Sequence, residues 1–182
     1  MSVTNNTTLF LGDSFFDVRE FWTDFYTDDY AGKDVFTAGI GSSRSHYWTE
    51  YLADTVLNVF KDTAPKNIVI HVGTNDVHGG GYTTDKVTDN LIGLFTKLHE
   101  RYPDTKIYYF GITHRDGKSP DNDNVVNGNI LQWCQTQDYI TYIDTPSLIS
   151  YDMLKDGIHP KLQYYSIFVE ELEKAGCVIE DK

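Results

Sequence analysis

Residues 67–76 read NIVIHVGTND. The first seven form a nearly continuous apolar run of β-formers, the composition of a strand covered on both faces. Such strands belong to parallel sheets, whose crossover connections place helices on either side. The run stops at Gly73, so Thr74, Asn75 and Asp76 fall at the carboxyl end of the strand. Working outward, shorter runs of the same kind lie at residues 8–12 (TLFLG), 35–40 (VFTAGI), 106–113 (KIYYFGIT) and 140–144 (ITYID). Helical patterns separate them. Val87, Leu91, Leu94 and Leu98 lie on one stripe of a helix that Pro103 then stops. Weaker helical patterns cover 47–60 and 125–135. Tyr165, Phe168, Leu172 and Ala175 form a last stripe, followed by Gly176 as a capping residue. Strand–helix alternation repeated five times predicts an α/β protein: a three-layer α/β/α fold around a five-stranded parallel sheet, as one domain over residues 1–182.

The composition narrows the partners. The 182 residues carry a formal net charge of −12, which repels phosphate backbones and anionic lipid. Nucleic acid and stable membrane association are therefore not expected, and a neutral or cationic small molecule fits better than an anionic one. The aromatic content is high, with 13 Tyr and 10 Phe, and much of it is read as core and pocket wall. Cys134 and Cys177 are too few for a disulfide framework and lack metal-ligand spacing; they read as reduced thiols of a cytoplasmic protein. Residues 1–8 are polar, with no apolar core of a signal peptide, and no later run approaches a membrane span.

In open parallel sheets the ligand sits outside the carboxyl ends of the strands. Four polar sequences fall there: Gly12-Asp13-Ser14, Gly39-Ile40-Gly41-Ser42, Gly73-Thr74-Asn75-Asp76, and Asp156-Gly157-Ile158-His159-Pro160 after the last strand. A serine hydroxyl is a weak nucleophile and needs a base within hydrogen-bond reach, itself oriented by a third group. Ser14 supplies the hydroxyl at a strand-to-helix turn, where backbone N–H groups also face a developing oxyanion. His159 can be the base and Asp156, three residues earlier, can fix its tautomer. Gly157 permits the tight turn and Pro160 stiffens its exit. Asn75 offers an amide donor to the oxyanion, and the loop after the second strand offers a backbone N–H. Each tripeptide alone is an ordinary turn; the conjunction at one rim carries the chemical reading.

Other polar residues have blander readings. Asp13 and Asp17 read as caps of the turn and helix after the first strand, Asp144 as structural, and Ser43 and Ser45 as loop serines or caps. His71, inside the third strand, reads as a satisfied core imidazole. His78 leads into Gly79-Gly80-Gly81 and reads as pocket border or surface loop; His114, with Arg115 and Asp116, follows the fourth strand on the active rim, and His46 and His99 read as surface helix residues. A metal site built on His71, Asp76 and His78 is not expected from a strand and its own following loop. Among the aromatics after Ser14 (Phe15, Phe16, Phe21, Trp22, Phe25, Tyr26 and Tyr30), core and pocket-wall roles stay unsorted.

On these motifs the chain resembles the SGNH hydrolases, the GDSL-type lipases and esterases. Ser14 in Gly-Asp-Ser, Asn75 in Gly-Thr-Asn-Asp, and His159 in Asp-Gly-Ile-His-Pro with Asp156 at the three-residue offset match three of the family's four blocks, over residues 9–160. The resemblance implies a flavodoxin-like fold and hydrolysis of a carboxylic ester through an acyl-serine, with Ser14, Asp156 and His159 catalytic and no metal or organic cofactor. The second block departs from the family's Gly-Ile-Gly-Gly: aligning Gly39-Ile40-Gly41 places Ser42 at the oxyanion glycine, whereas a shift by one selects Gly41. The expected substrate is a small-molecule ester, with an acetylated carbohydrate as one candidate. An O-acyltransferase acting on a sugar hydroxyl and a non-catalytic binding module are the rivals.

Overall fold

The computed structural model describes residues 3–19 and 30–182. Five strands, β1 (Thr8–Gly12), β2 (Val35–Gly39), β3 (Asn67–His71), β4 (Lys106–Phe110) and β5 (Ile140–Ile143), form one sheet in the order β2-β1-β3-β4-β5. All neighbouring pairs are parallel, so the α/β architecture follows the expectation. The chain leaves β1 to one side, to β2, then crosses back to β3 on the other. This places the switch point of the sheet beside β1.

The helices are α1 (residues 45–60), α2 (Thr74–Gly79), α3 (Thr84–Arg101), α4 (Asp121–Cys134) and α5 (Ser166–Lys174). The period of two along the strands sorts the core into two layers. Leu9, Leu11, Ile68, Ile70, Ile107 and Tyr109 pack with Leu57 of α1, Leu91, Leu94 and Leu98 of α3 and Ile130 of α4. Phe10, Val69, Tyr108 and Phe110 point the other way, onto Phe168 and Leu172 of α5. Cys134 lies in the first layer and Cys177 in the second, both buried and unbridged.

The strands and helices depart from the sequence reading mainly at their ends. The third and fourth runs stop being strand at His71 and Phe110, two and three residues before the apolar pattern does. The cause at β3 is Gly73, whose φ of +129° turns the chain into α2, so Thr74–Asp76 form a helical first turn rather than a loop. Helix α1 is weak in the sequence because its period breaks. It is α-helical at Ser45–Tyr47 and Ala53–Phe60, with a π turn over Trp48–Leu52 between them. The end of α5 follows the reading closely. Gly176, at φ +83°, donates its N–H to Glu173 O, and the Cys177 N–H bonds to Leu172 O. This pair of bonds closes a helix with a left-handed residue.

Among the described residues no helix is long and apolar enough to cross a membrane. Leu94 is completely buried at the centre of the α3 stripe. Leu94→Ala is expected to cost about 2–5 kcal/mol of unfolding free energy, measured as a fall in the chemical-denaturation midpoint with an unchanged slope.

Candidate active site

β1 ends at Gly12, and the chain enters a single 3-10 turn, Ser14–Phe16. Asp13 caps that turn, its Oδ1 accepting from the Phe15 N–H at 3.1 Å. The cap presents Ser14 Oγ above the end of the sheet, largely shielded from solvent. From the other end of the chain comes a small loop closed by the Lys155 N–H to His159 O bond at 2.7 Å and a bridge between Leu154 and Pro160. Gly157, at φ +80°, makes its turn possible. Inside the loop Asp156 Oδ1 accepts the backbone N–H groups of Ile158 at 3.0 Å and His159 at 2.8 Å.

The three side chains selected from the sequence meet. Ser14 Oγ lies 2.7 Å from His159 Nε2, and His159 Nδ1 lies 2.8 Å from Asp156 Oδ2. Burial alone would raise the Asp156 carboxyl, but the bonds from the His159 backbone and ring and from the Ile158 N–H outweigh it and hold the group below the usual carboxylate range. An ionised Asp156 accepts a hydrogen bond from Nδ1–H, which leaves the Nε2 lone pair facing the Ser14 hydroxyl. Burial pushes the His159 imidazole below its ordinary value against the pull of Asp156. The base is thus neutral and able to accept a proton near pH 7.

The backbone N–H groups at the rim differ in whether they have partners. The Gly41 N–H is donated to Asp17 Oδ2 at 2.8 Å. Asp17 is completely buried and also grips Arg19 through both carboxylate oxygens; the Arg19 side chain, then the Arg19 and Gly41 N–H groups, hold it at about 2 against the effect of burial. Gly41 therefore has no N–H to offer an oxyanion, which corrects the alignment that selected it. The Ser42 N–H donates to no group among the described residues, nor does that of Ser14. Ser42 sits at φ +61°, the left-handed region that favours glycine, so the backbone keeps the glycine conformation although the side chain is serine. Asp17 thus does more than cap its neighbours: it ties the turn after β1 to the loop after β2.

Asn75 is the second residue of α2. Its Nδ2 donates to Ser43 O at 3.0 Å, and its Oδ1 accepts from Arg115 Nη2 at 2.9 Å. An amide nitrogen carries two hydrogens, so one remains for the rim. Arg115 is the contact that sequence reasoning missed. Its position after β4 was the only signal, and nothing in the chain announces which side chain it grips. Ser43 and Ser45 are structural, as expected: Ser43 Oγ accepts from Trp48 Nε1 at 2.9 Å, and Ser45 bonds Asp76 through both N–H and Oγ.

The histidines separate. His71 Nδ1 lies 3.1 Å from Asp13 Oδ1 in the core, its ring stacked on Phe15 at 3.8 Å. His78 pairs with the buried Asp123 at 3.0 Å; burial pushes the imidazole down and the carboxyl up. His114 bonds Asn124 at 3.0 Å. His71, Asp76 and His78 thus have three separate partners, and among the described residues no group of three metal-ligating side chains converges. His46 is packed between Tyr47 and Tyr82, and His99 stacks on Tyr139 at 3.7 Å. Phe15, Phe16 and Tyr30 belong to the core on the α5 face. Phe21, Trp22, Phe25 and Tyr26 lie outside the described residues.

The five-stranded parallel sheet, with a serine, a histidine and an aspartate linked at its rim here, has a fold shared with solved structures. A Bacteroides fragilis protein assigned as an acylhydrolase superposes with a TM-score of 0.77 at 19% identity, covering 96% of this chain and 89% of that one. A carbohydrate esterase family 3 protein from Talaromyces cellulolyticus does so with a TM-score of 0.71 at 18% identity, over 93% and 95% of the two chains. The psychrotrophic esterase EstA of a Pseudoalteromonas species, solved inhibited by monoethylphosphonate, gives 0.68 at 19% identity over 93% and 95%. At these identities the likeness establishes the fold. No curated protein matches the sequence. The family model of the GDSL-like lipases and acylhydrolases matches residues 10–167, and the chain belongs to that family. It is thereby placed among the ester hydrolases.

Two measurements follow from this geometry. Protonating His159 removes the acceptor for the Ser14 proton, and burial lowers its pKa from the ordinary 6.5. The acid limb of the kcat/KM profile for a chromogenic ester is therefore expected to have its midpoint below 6.5; a midpoint above that value would contradict the burial argument. Ser42→Gly relieves left-handed strain while keeping the N–H, and is expected to gain about 0.5–1 kcal/mol of stability with kcat retained. A thermal melt and a turnover assay on the same preparation check both halves.

Proposed function

We propose that this protein hydrolyses a small carboxylic ester through an acyl-serine intermediate. The observation that carries the reading is the unbroken chain from Ser14 Oγ to His159 to Asp156, at 2.7 and 2.8 Å, beside backbone N–H groups that have no partner among the described residues. His159 Nε2 takes the hydroxyl proton as Ser14 Oγ attacks the ester carbonyl. The tetrahedral oxyanion is held by the N–H groups of Ser14 and Ser42 and by the remaining Asn75 Nδ2 hydrogen. His159 then protonates the departing alcohol, and water, activated by the same imidazole, releases the acid. Asp156 keeps the imidazole oriented and stabilises its charged form. Each proton transfer uses a side chain already in place, so the cycle asks for no cofactor.

The substrate class we favour is a short acyl ester, acetyl above all, on a neutral polyol or sugar. The net charge of −12 disfavours anionic substrates, and a carbohydrate esterase from Talaromyces cellulolyticus shares the fold.

Turnover of p-nitrophenyl acetate by wild type and by Ser14→Ala tests the mechanism. Loss of the nucleophile is expected to cost ~10³-fold or more in kcat, with the far-ultraviolet spectrum unchanged. Undiminished turnover by the folded variant would sink the assignment. A panel of p-nitrophenyl esters from acetyl to dodecanoyl, beside acetylated sugars, tests the substrate class: kcat/KM should peak at the shortest chains.

A further inference from the structure

We infer that Arg115 is a positioning residue for the oxyanion hole, locking the Asn75 amide with its nitrogen toward the reacting carbonyl. The inference rests on the acyl-serine reading and adds to it a residue that the family motifs do not select and that the strand-end rule places on the rim without a role.

The geometry begins with a weakness of the asparagine side chain. Its oxygen and nitrogen have nearly the same shape, so an amide that is free to rotate about its last torsion can present either one. Only the nitrogen helps an oxyanion; the oxygen would repel it. Two contacts remove the ambiguity here. Arg115 Nη2 donates to Asn75 Oδ1 at 2.9 Å, and Asn75 Nδ2 donates to Ser43 O at 3.0 Å. Turning the amide over would set NH₂ against the guanidinium and carbonyl against carbonyl, two lost bonds and two repulsions. The guanidinium is itself fixed. Its Nε donates to Thr74 Oγ1 at 2.9 Å, so two atoms of one planar group hold two consecutive side chains at the start of α2. A lysine, a single point charge on a flexible stem, cannot reproduce that fork.

The backbone strengthens the argument. The N–H of Asp116, the next residue, donates to Gly157 O at 2.8 Å, inside the loop that carries Asp156 and His159. The segment after β4 therefore touches both halves of the site: the oxyanion amide through the Arg115 side chain, and the base loop through the Asp116 backbone. Arg115 makes no hydrogen bond to Ser14, Asp156 or His159 among the described residues. Its charge also bears on Asp156, but its hydrogen bonds reach the site only at Thr74 and Asn75. That restriction is what makes the role testable.

A double-mutant cycle on p-nitrophenyl acetate hydrolysis reads it directly. Arg115→Ala, Asn75→Ala and the double variant are compared with wild type for kcat, KM and the pH midpoint. Removing one oxyanion donor typically costs ~10²–10³-fold in kcat; Arg115→Ala is expected to lose about 10-fold or more, with KM changed less than about threefold. The acid-limb midpoint should shift little, because no hydrogen bond to His159 or Asp156 is lost. In the Asn75→Ala background the further loss on removing Arg115 should fall to about twofold or less. Arg115→Lys should fail to rescue. A full, independent loss in the Asn75→Ala background would overturn the inference, as would a purely KM effect or a loss of activity accounted for by a shifted acid limb. If Arg115→Ala does not fold, Arg115→Met, which keeps the bulk of the stem and offers no donor to Asn75, carries the same cycle. Ser14→Ala run in parallel separates the two claims: activity surviving there overturns the acyl-serine reading, whereas an inactive Ser14→Ala with an additive cycle overturns only the role of Arg115.

Discussion

The rim of the sheet depends on how closely β1 packs between its neighbours. Gly12, the last residue of β1, stands opposite Gly39 of β2 and His71 of β3 in a single register. A Cβ on Gly12 would lie 1.9 Å from the His71 carbonyl oxygen, and one on Gly39 would lie 2.1 Å from the Phe16 backbone. Glycine at both places lets three strands end at one level, with the turn carrying Ser14 folded directly onto β2. Thr37 Oγ1 donates to Phe16 O at 3.0 Å across the same seam. The nucleophile turn, the Ser42 loop and the start of α2 consequently leave the sheet side by side. A larger residue at either position would push the strands apart where their separation sets the site.

Asp17 and Asp76 lock those loops. Both are completely buried, and each accepts hydrogen bonds from a neighbouring loop rather than only from its own. Asp17 takes the Gly41 N–H and Asp76 takes the N–H and hydroxyl of Ser45. Burial raises the Asp76 carboxyl, and the two bonds from Ser45 oppose it. Buried carboxylates are costly unless their oxygens are met, so each fixes the one arrangement of backbone that meets them. In satisfying Asp17, Gly41 turns its N–H inward, and the next N–H, that of Ser42, is the one left facing out. The carboxylate thereby fixes which N–H is turned outward, and under the proposed mechanism the left-handed turn at position 42 tolerates a serine because only its N–H is required.

The architecture was legible because apolar periodicity is a local signal. The run at 67–73 could hardly be anything but a strand covered on both faces, and the alternation around it left a parallel sheet. Ser14, Asp156 and His159 were legible because their spacing and position after strands agree with one chemistry. What escaped has a common cause: contacts between loops that the chain order separates. Nothing in Asp17 announces Gly41, 24 residues on. Arg115 grips Asn75 from 40 residues away. The π turn at Trp48–Leu52 is hidden for a related reason: Trp48 is pinned through Nε1 to Ser43 and Thr49 Oγ1 reaches Asn90 O, so tertiary contacts set the local pitch. Strand ends were overrun where apolar residues continue past the last ladder bond, as at Val72 and Ile112, which are buried without being strand.

Ser14 and His159 are 145 residues apart, yet the distance between them must hold to a fraction of an ångström for proton transfer. The chain achieves this with a base loop that is rigid by itself. Asp156 satisfies two N–H groups of its own turn with one oxygen and orients the imidazole with the other, so a single carboxylate shapes the loop and aims the base. The loop is then placed by an outside contact, the Asp116 N–H on Gly157 O. Division of labour of this kind explains why a half-exposed aspartate can serve. Its carboxyl does not need deep burial to stay ionised and oriented, because the backbone bonds already hold it. Burial is spent instead on His159 and Ser14, where excluding water keeps the imidazole neutral and strengthens the field that a developing oxyanion would meet.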